Sequence, residues 1–158
     1  MIEPEEIIES RIAALLDAAQ PGIPVVGALE PSPDGEEKKI PDTCILVVAD
    51  VASQDMDAEY FGIPCTYTVR VAVHYAFADG KTGADFRDTC RAVRGALTAL
   101  LGDGCAALSD EGFYCDSFTL DGTSTAMESM AYGEGMTKSY TATVKGRLTP
   151  PTETQEDL

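Results

Sequence analysis

The sequence predicts an α+β domain: a mainly antiparallel sheet with two helices packed on one face. Three observations predict it. Two segments, residues 4–19 and 84–101, repeat apolar side chains at helical spacing. One run, Cys65 to Phe77, alternates with period two along its whole length. The other apolar runs are separated by turn signals and long polar connections, not by the regular strand–helix alternation of a parallel sheet.

In the first helix Ile7, Ile8, Ile12, Leu15, Leu16 and Ala19 form one stripe. Pro4 suits the first helical position, and Glu3, Glu5 and Glu6 suit the positive end of the helix dipole. Pro21-Gly22 ends it. Ile23 to Leu29 reads as a short strand, and the polar, proline-rich stretch from Glu30 to Pro41 as a surface loop. Thr43 to Asp50 (TCILVVAD) is apolar throughout and reads as a strand covered on both faces. Residues 51–63 read as a connection.

The clearest strand follows. Tyr67, Val69, Val71, Val73, Tyr75 and Phe77 alternate with Thr66, Thr68, Arg70, Ala72, His74 and Ala76. Asp79-Gly80 turns the chain into the second helix, whose apolar face is Phe86, Cys90, Val93, Leu97, Leu100 and Leu101. Gly102 and Gly104 stop it. Gly112 to Leu120 and Thr123 to Ala131 then read as two strands joined by a hairpin at Asp121-Gly122. A loop over 131–138 leads to a last strand, Ser139 to Leu148. Residues 1–148 are thus expected to form one domain, and the acidic tail 149–158 to be disordered.

The 158 residues carry 27 acids and 11 bases, a net charge of −16. The first 60 residues hold 14 of the acids and only 3 of the bases. Such a field repels a polyanion, which argues against direct binding to duplex nucleic acid. No apolar run approaches the roughly 18–20 residues of a membrane helix, and the acidic N-terminus is unlike a secretory leader. Five cysteines, Cys44, Cys65, Cys90, Cys105 and Cys115, lack the close pairing of a zinc site. The odd count favours free thiols, with Cys65 and Cys90 acting as small hydrophobes.

Motifs of chemistry are weak. Gly80-Lys81-Thr82 fails as a phosphate loop, because the glycine needed five residues earlier is Tyr75. Asp55, Asp57 and Glu59 start like a calcium loop, but Tyr60 replaces its glycine and Thr66 its closing glutamate. His74 is the only histidine and lies mid-strand, which argues against a histidine-based triad or a transition-metal site. The expectation is no enzyme, no catalytic residues, no metal, no cofactor and no small-molecule substrate.

Two features point to surfaces. Arg87, Arg91 and Arg94 recur at i, i+4 and i+7 on the second helix. They form either a solvated stripe, with Asp88 and Arg91 as a local pair, or a docking stripe for an acidic surface on another copy. Tyr60 and Phe61, with Ile63, are either core plugs or an exposed contact patch.

The order of elements carries a resemblance. A helix (EEIIESRIAALLDA) precedes the long strand CTYTVRVAVHYAF. Then come the amphipathic helix FRDTCRAVRGALTALL, GFYCDSFTLDG and the final strand YTATVKGRL. This layout resembles the small tail-terminator or tail-completion proteins, also called minor tail or neck proteins, of long-tailed bacteriophages and prophages. The resemblance spans roughly residues 4–148 and rests on order, not on an invariant motif. It implies an α+β subunit assembling in the host cytoplasm into a ring, often a hexamer. That ring sits at the head-proximal end of the virion tail and contacts tail-tube and head-connector proteins without catalysis. The other reading kept open is a small-molecule or peptide-binding α+β domain of a bacterial complex.

Overall fold

The computed structural model describes residues 3–19, 21–28, 40–54, 63–77, 82–110, 112–130 and 133–148. The elements run α1 (Pro4–Ala18), β1 (Val25–Gly27), β2 (Cys44–Gln54), β3 (Ile63–Ala76), α2 (Gly83–Thr98), a 3-10 segment (Gly102–Leu108), β4 (Phe113–Met130) and β5 (Gly133–Leu148). The five strands form one sheet in the order β1-β2-β3-β5-β4.

The expected architecture needs correcting. The sheet is mixed: β1 pairs parallel with β2, through Val25↔Ile45, Val26↔Leu46 and Gly27↔Val47, and the remaining pairs are antiparallel. Parallel neighbours need a crossover connection of a dozen residues or more, and residues 28–43 are long enough to supply one. A third helical segment, Gly102–Leu108, joins the two expected helices. It starts where Gly102 takes φ +62°, a conformation that costs glycine little.

One hydrophobic core gathers both helices, the 3-10 segment and one face of the sheet. β3 supplies its centre: Tyr67, Val69, Val71, Val73 and Tyr75 are all buried. Ile8, Ile12 and Leu16 of α1 and Val93 and Leu97 of α2 close over this face. Thr82 caps α2. Its hydroxyl accepts from Asp85 N–H, and the Asp85 carboxylate accepts from Thr82 N–H, a capping box. This gives the third residue of Gly80-Lys81-Thr82 a structural task.

Helix and sheet are keyed together by tyrosines. Tyr140 on β5 donates to the Cys90 carbonyl at 3.1 Å. Tyr75 shares a hydrogen bond with the Thr89 hydroxyl, which donates to the Pro21 carbonyl, and Tyr75 packs edge-on against Phe86. Tyr67 packs edge-on against Phe113, with centroids 5.8 Å apart. Its hydroxyl, beside the Cys65 thiol, has no hydrogen-bond partner among the described residues. Gly146 lies under Phe113, where a Cβ would come within 2.7 Å of the ring and 2.4 Å of the Tyr114 carbonyl. Only glycine lets the chain approach that closely.

The second correction concerns residues 112–131. No hairpin forms at Asp121-Gly122; one strand of 18 residues runs through it. β4 pairs with β5 from Phe113↔Leu148 to Met130↔Gly133, with register shifts at Cys115/Ser117 and Leu120/Gly122. The residues left over are Asp116 and Asp121, which makes each a β-bulge. Both carboxylates hold the neighbouring strand: Asp116 takes a bidentate bond from Arg147 at 3.0 and 3.1 Å, and Asp121 accepts from the Thr143 hydroxyl. Gly122 does not take the positive φ that a tight Asp-Gly turn requires. β5 already begins at Gly133, inside the stretch expected to be a loop, and β2 runs on to Gln54. Of the first strand expected at 23–29, only Val25–Gly27 pairs.

The tyrosines make a ranked prediction. Tyr75→Phe and Tyr140→Phe each remove a satisfied buried hydrogen bond and should cost about 1 kcal/mol in chemical denaturation. Tyr67→Phe removes a buried hydroxyl with nothing to lose and should be neutral or slightly stabilising. All five thiols are free and buried. Burial pushes the Cys44 thiol up to about 11, and the Cys115 thiol, burdened also by Cys105, up to about 12. At pH 8 the folded protein should therefore react only slowly with a thiol reagent, and five thiols should titrate at once after denaturation.

Candidate functional site

The candidate residues on α2 lie together on its outer side. Arg87, Arg91 and Arg94 are all exposed and flank the buried face of Phe86, Cys90, Val93 and Leu97. Arg91 bonds Asp88 at 3.1 Å, with both side chains more than 70% exposed (77% and 72%). An exposed pair of that kind contributes little stability. Arg94 lies near enough to the Tyr140 hydroxyl to oppose the upward push that burial gives it. Tyr60, Phe61 and the acidic run Asp55, Asp57, Glu59 lie outside the described residues. His74 Nδ1 is 2.8 Å from the Thr137 hydroxyl, a cross-strand pair between β3 and β5. Among the described residues no three His, Cys, Asp or Glu side chains cluster as a metal site would require.

The two edges of the sheet differ sharply. Beyond the three residues of β1, the strand β2 continues without a neighbouring strand on that side among the described residues. Carboxylates occupy this edge. Glu9, buried to 2% exposure on the core side of α1, accepts from Ala49 N–H at 3.4 Å. It also lies against Gly27, where a Cβ would sit 2.8 Å from its Oε1. Asp50 accepts from Val51 N–H at 2.9 Å. Donors that an incoming strand would need are therefore already engaged. Negative charge accumulates here too. Burial, with Glu3, Asp50 and Glu6 nearby, raises the Glu5 carboxyl above its ordinary range.

The opposite edge is β4. In its first half Phe113, Cys115 and Phe118 are buried against the 3-10 segment and β5. From Asp121 to Met127 every residue is exposed, and Met127 shows 67% of its surface. From Gly122 to Met130 the pairing with β5 has no irregularity. This ribbon runs past the helices. It contains no proline, lysine or arginine, the residues that natural edges commonly use to discourage pairing. The sheet face turned away from the helices carries Thr66, Thr68, Arg70, Thr119, Thr141 and Thr143, with Arg147 lying over the exposed Tyr114 ring at 5.0 Å.

Sequence reading missed both edges. Glu9 carried a signal, because it falls on the stripe of Ile12 and Leu16 at helical spacing, where a carboxylate must find a buried partner. The β4 edge carried a misleading one, since Asp-Gly is the strongest short-range hairpin signal.

Among solved structures the chain is similar to one from the virion of a native gene transfer agent (GTA) particle. The two are 19% identical, the match covers 85% of this chain and 84% of that one, and the TM-score is 0.43. A superposition that loose carries no function across. No family model and no curated protein matches.

The acidic edge yields a pH prediction. The folded state holds the Glu5 proton more tightly than the unfolded chain does. That advantage is full below the ordinary carboxylate value of 4.5 and is lost as pH rises through the raised folded value. Glu5→Gln should therefore raise the melting temperature at pH 7, and the gain over wild type should shrink toward pH 4.

Proposed function

We propose that this chain is a structural protein of a phage-type virion, a ring-forming tail terminator or tail-completion protein at the head–tail junction. It works by contact and performs no catalysis. Its partners are copies of itself, possessing the same surfaces, together with tail-tube and head-connector proteins.

The observation that carries the reading is the β4–β5 ribbon. A monomer gains nothing from projecting Asp121–Met127 beyond its core, exposed on both faces. A subunit that must meet neighbours does. The order of helices and strands that resembles the tail-terminator family supports the same conclusion. So does the arrangement of charge, since the arginine stripe of α2 and the carboxylates around Glu5 and Asp50 lie on surfaces that successive subunits can bring together.

Electrostatics then predicts how association responds to salt. Each copy brings a charge of −16, so the net field opposes a ring and screening relieves it. Light scattering should show the mean mass rising as salt is raised from about 20 mM to about 500 mM. Negative-stain images of the high-salt sample should show rings of phage-tail width. Arg91→Glu with Arg94→Glu should reduce the mass at every salt concentration. A wild-type protein that stays monomeric throughout, and that does not bind the ends of purified tail tubes, would overturn the proposal.

A further inference from the structure

We infer that β4 is a self-pairing edge: two copies of this chain join antiparallel through residues 122–128, about a two-fold axis at Thr125. The inference concerns the chain alone and does not depend on its place in a virion.

The two edges of the sheet are not equivalent. A sheet continued head to tail from copy to copy needs two open edges. Here one is occupied, because Glu9 holds Ala49 N–H and Asp50 holds Val51 N–H. The outer side of β4 is what remains, and an edge that can pair only with its own kind gives a closed, isologous dimer.

The sequence of the ribbon fits that partner. Gly122-Thr-Ser-Thr-Ala-Met127 holds no charge, in a chain of net charge −16. Two acidic molecules can bring this stretch together with little direct repulsion. Antiparallel pairing about Thr125 sets Gly122 against Glu128, Thr123 against Met127, and Ser124 against Ala126. No acid then faces an acid, whereas parallel in-register pairing would stack Asp121 on Asp121 and Glu128 on Glu128. Threonine favours strands and makes good cross-strand pairs, and Met127, now 67% exposed, gains the Thr123 methyl as a neighbour. The absence of a bulge from Gly122 to Met130 leaves the backbone regular enough to accept a strand. Seven residue pairs make a small interface, so the dimer is a weak one, populated at high protein concentration and raised salt.

The test exploits the two-fold axis. Thr125 is exposed, so Thr125→Lys and Thr125→Glu should fold normally, with unchanged melting temperatures. Each puts like charges directly opposite one another only if position 125 faces its own copy. Sedimentation equilibrium at about 500 mM salt, at loading concentrations below those at which rings form, should show a monomer–dimer step for wild type, an association constant for that step at least about tenfold lower for each variant alone, and recovery when the two are mixed in equal amounts. Wild type that remains monomeric overturns the inference, as does a lysine variant that dimerises like wild type. A mixture that fails to recover overturns it too. Association that survives Thr125→Lys but is lost in Arg91→Glu with Arg94→Glu would leave the ring standing and remove the self-pairing edge.

Discussion

The alternating side chains of β3 hold this fold together. β3 is hydrogen-bonded on both sides, to β2 and to β5, and Tyr67, Val69, Val71, Val73 and Tyr75 all turn to one face. A strip of that width cannot stay in water, and α1, α2 and the 3-10 segment are the covers it recruits. Tyr75 and Tyr140 then fix where α2 sits by reaching Thr89 and the Cys90 carbonyl. Burying the polar tips of these rings costs little because each finds a partner. The far face of the sheet is threonine-rich and exposed at the Thr68 and Arg70 end, and buried at the other end around Cys44, Ala72 and Thr137.

This logic explains what the sequence disclosed. Period two marked β3, and helical spacing placed both helices, since each pattern follows from a side chain lying either in the core or out of it. Pairing partners leave a fainter trace. The parallel contact of β1 with β2 involves three residues and a long crossover, and nothing local in Val25–Gly27 states which neighbour it takes. Asp121-Gly122 misled because its turn chemistry is real but was outcompeted. The Thr143 hydroxyl on β5 offers Asp121 a bond that a hairpin would forgo, and the strand goes straight on. Of the candidate site, the arginine stripe was visible as spacing on α2. Tyr60 and Phe61 were visible as residue types, but they lie outside the described residues. The open edge was invisible, because being last in a sheet is a property of topology.

Edges matter more here than pockets. Carboxylates seal one side of the sheet from within the same chain, and the other side is left bare over the stretch where the charge falls to zero. A strongly acidic protein is kept dispersed by its overall field. Neutral, regular backbone is where that protection is weakest, and here it coincides with the outer strand of the sheet. The buried thiols fit such a part, since none offers an exposed sulfur for accidental crosslinking.

The paired aspartate bulges have a final consequence. Ahead of Asp116 the core-facing positions of β4 are odd-numbered, Phe113 and Cys115. Between the bulges they are even-numbered, Phe118 and Leu120. Beyond Asp121 they are odd again, Thr123, Thr125 and Met127. Each bulge thus acts as a frameshift written in space, and the second undoes the first. Losing the extra residue at either aspartate would leave every later side chain on its present face, since Cys115 would then run straight into Ser117 and Leu120 into Gly122, and would remove only the local bend and added twist of the bulge. What such a loss would cost is the tie across the ladder, Arg147 at Asp116 and the Thr143 hydroxyl at Asp121.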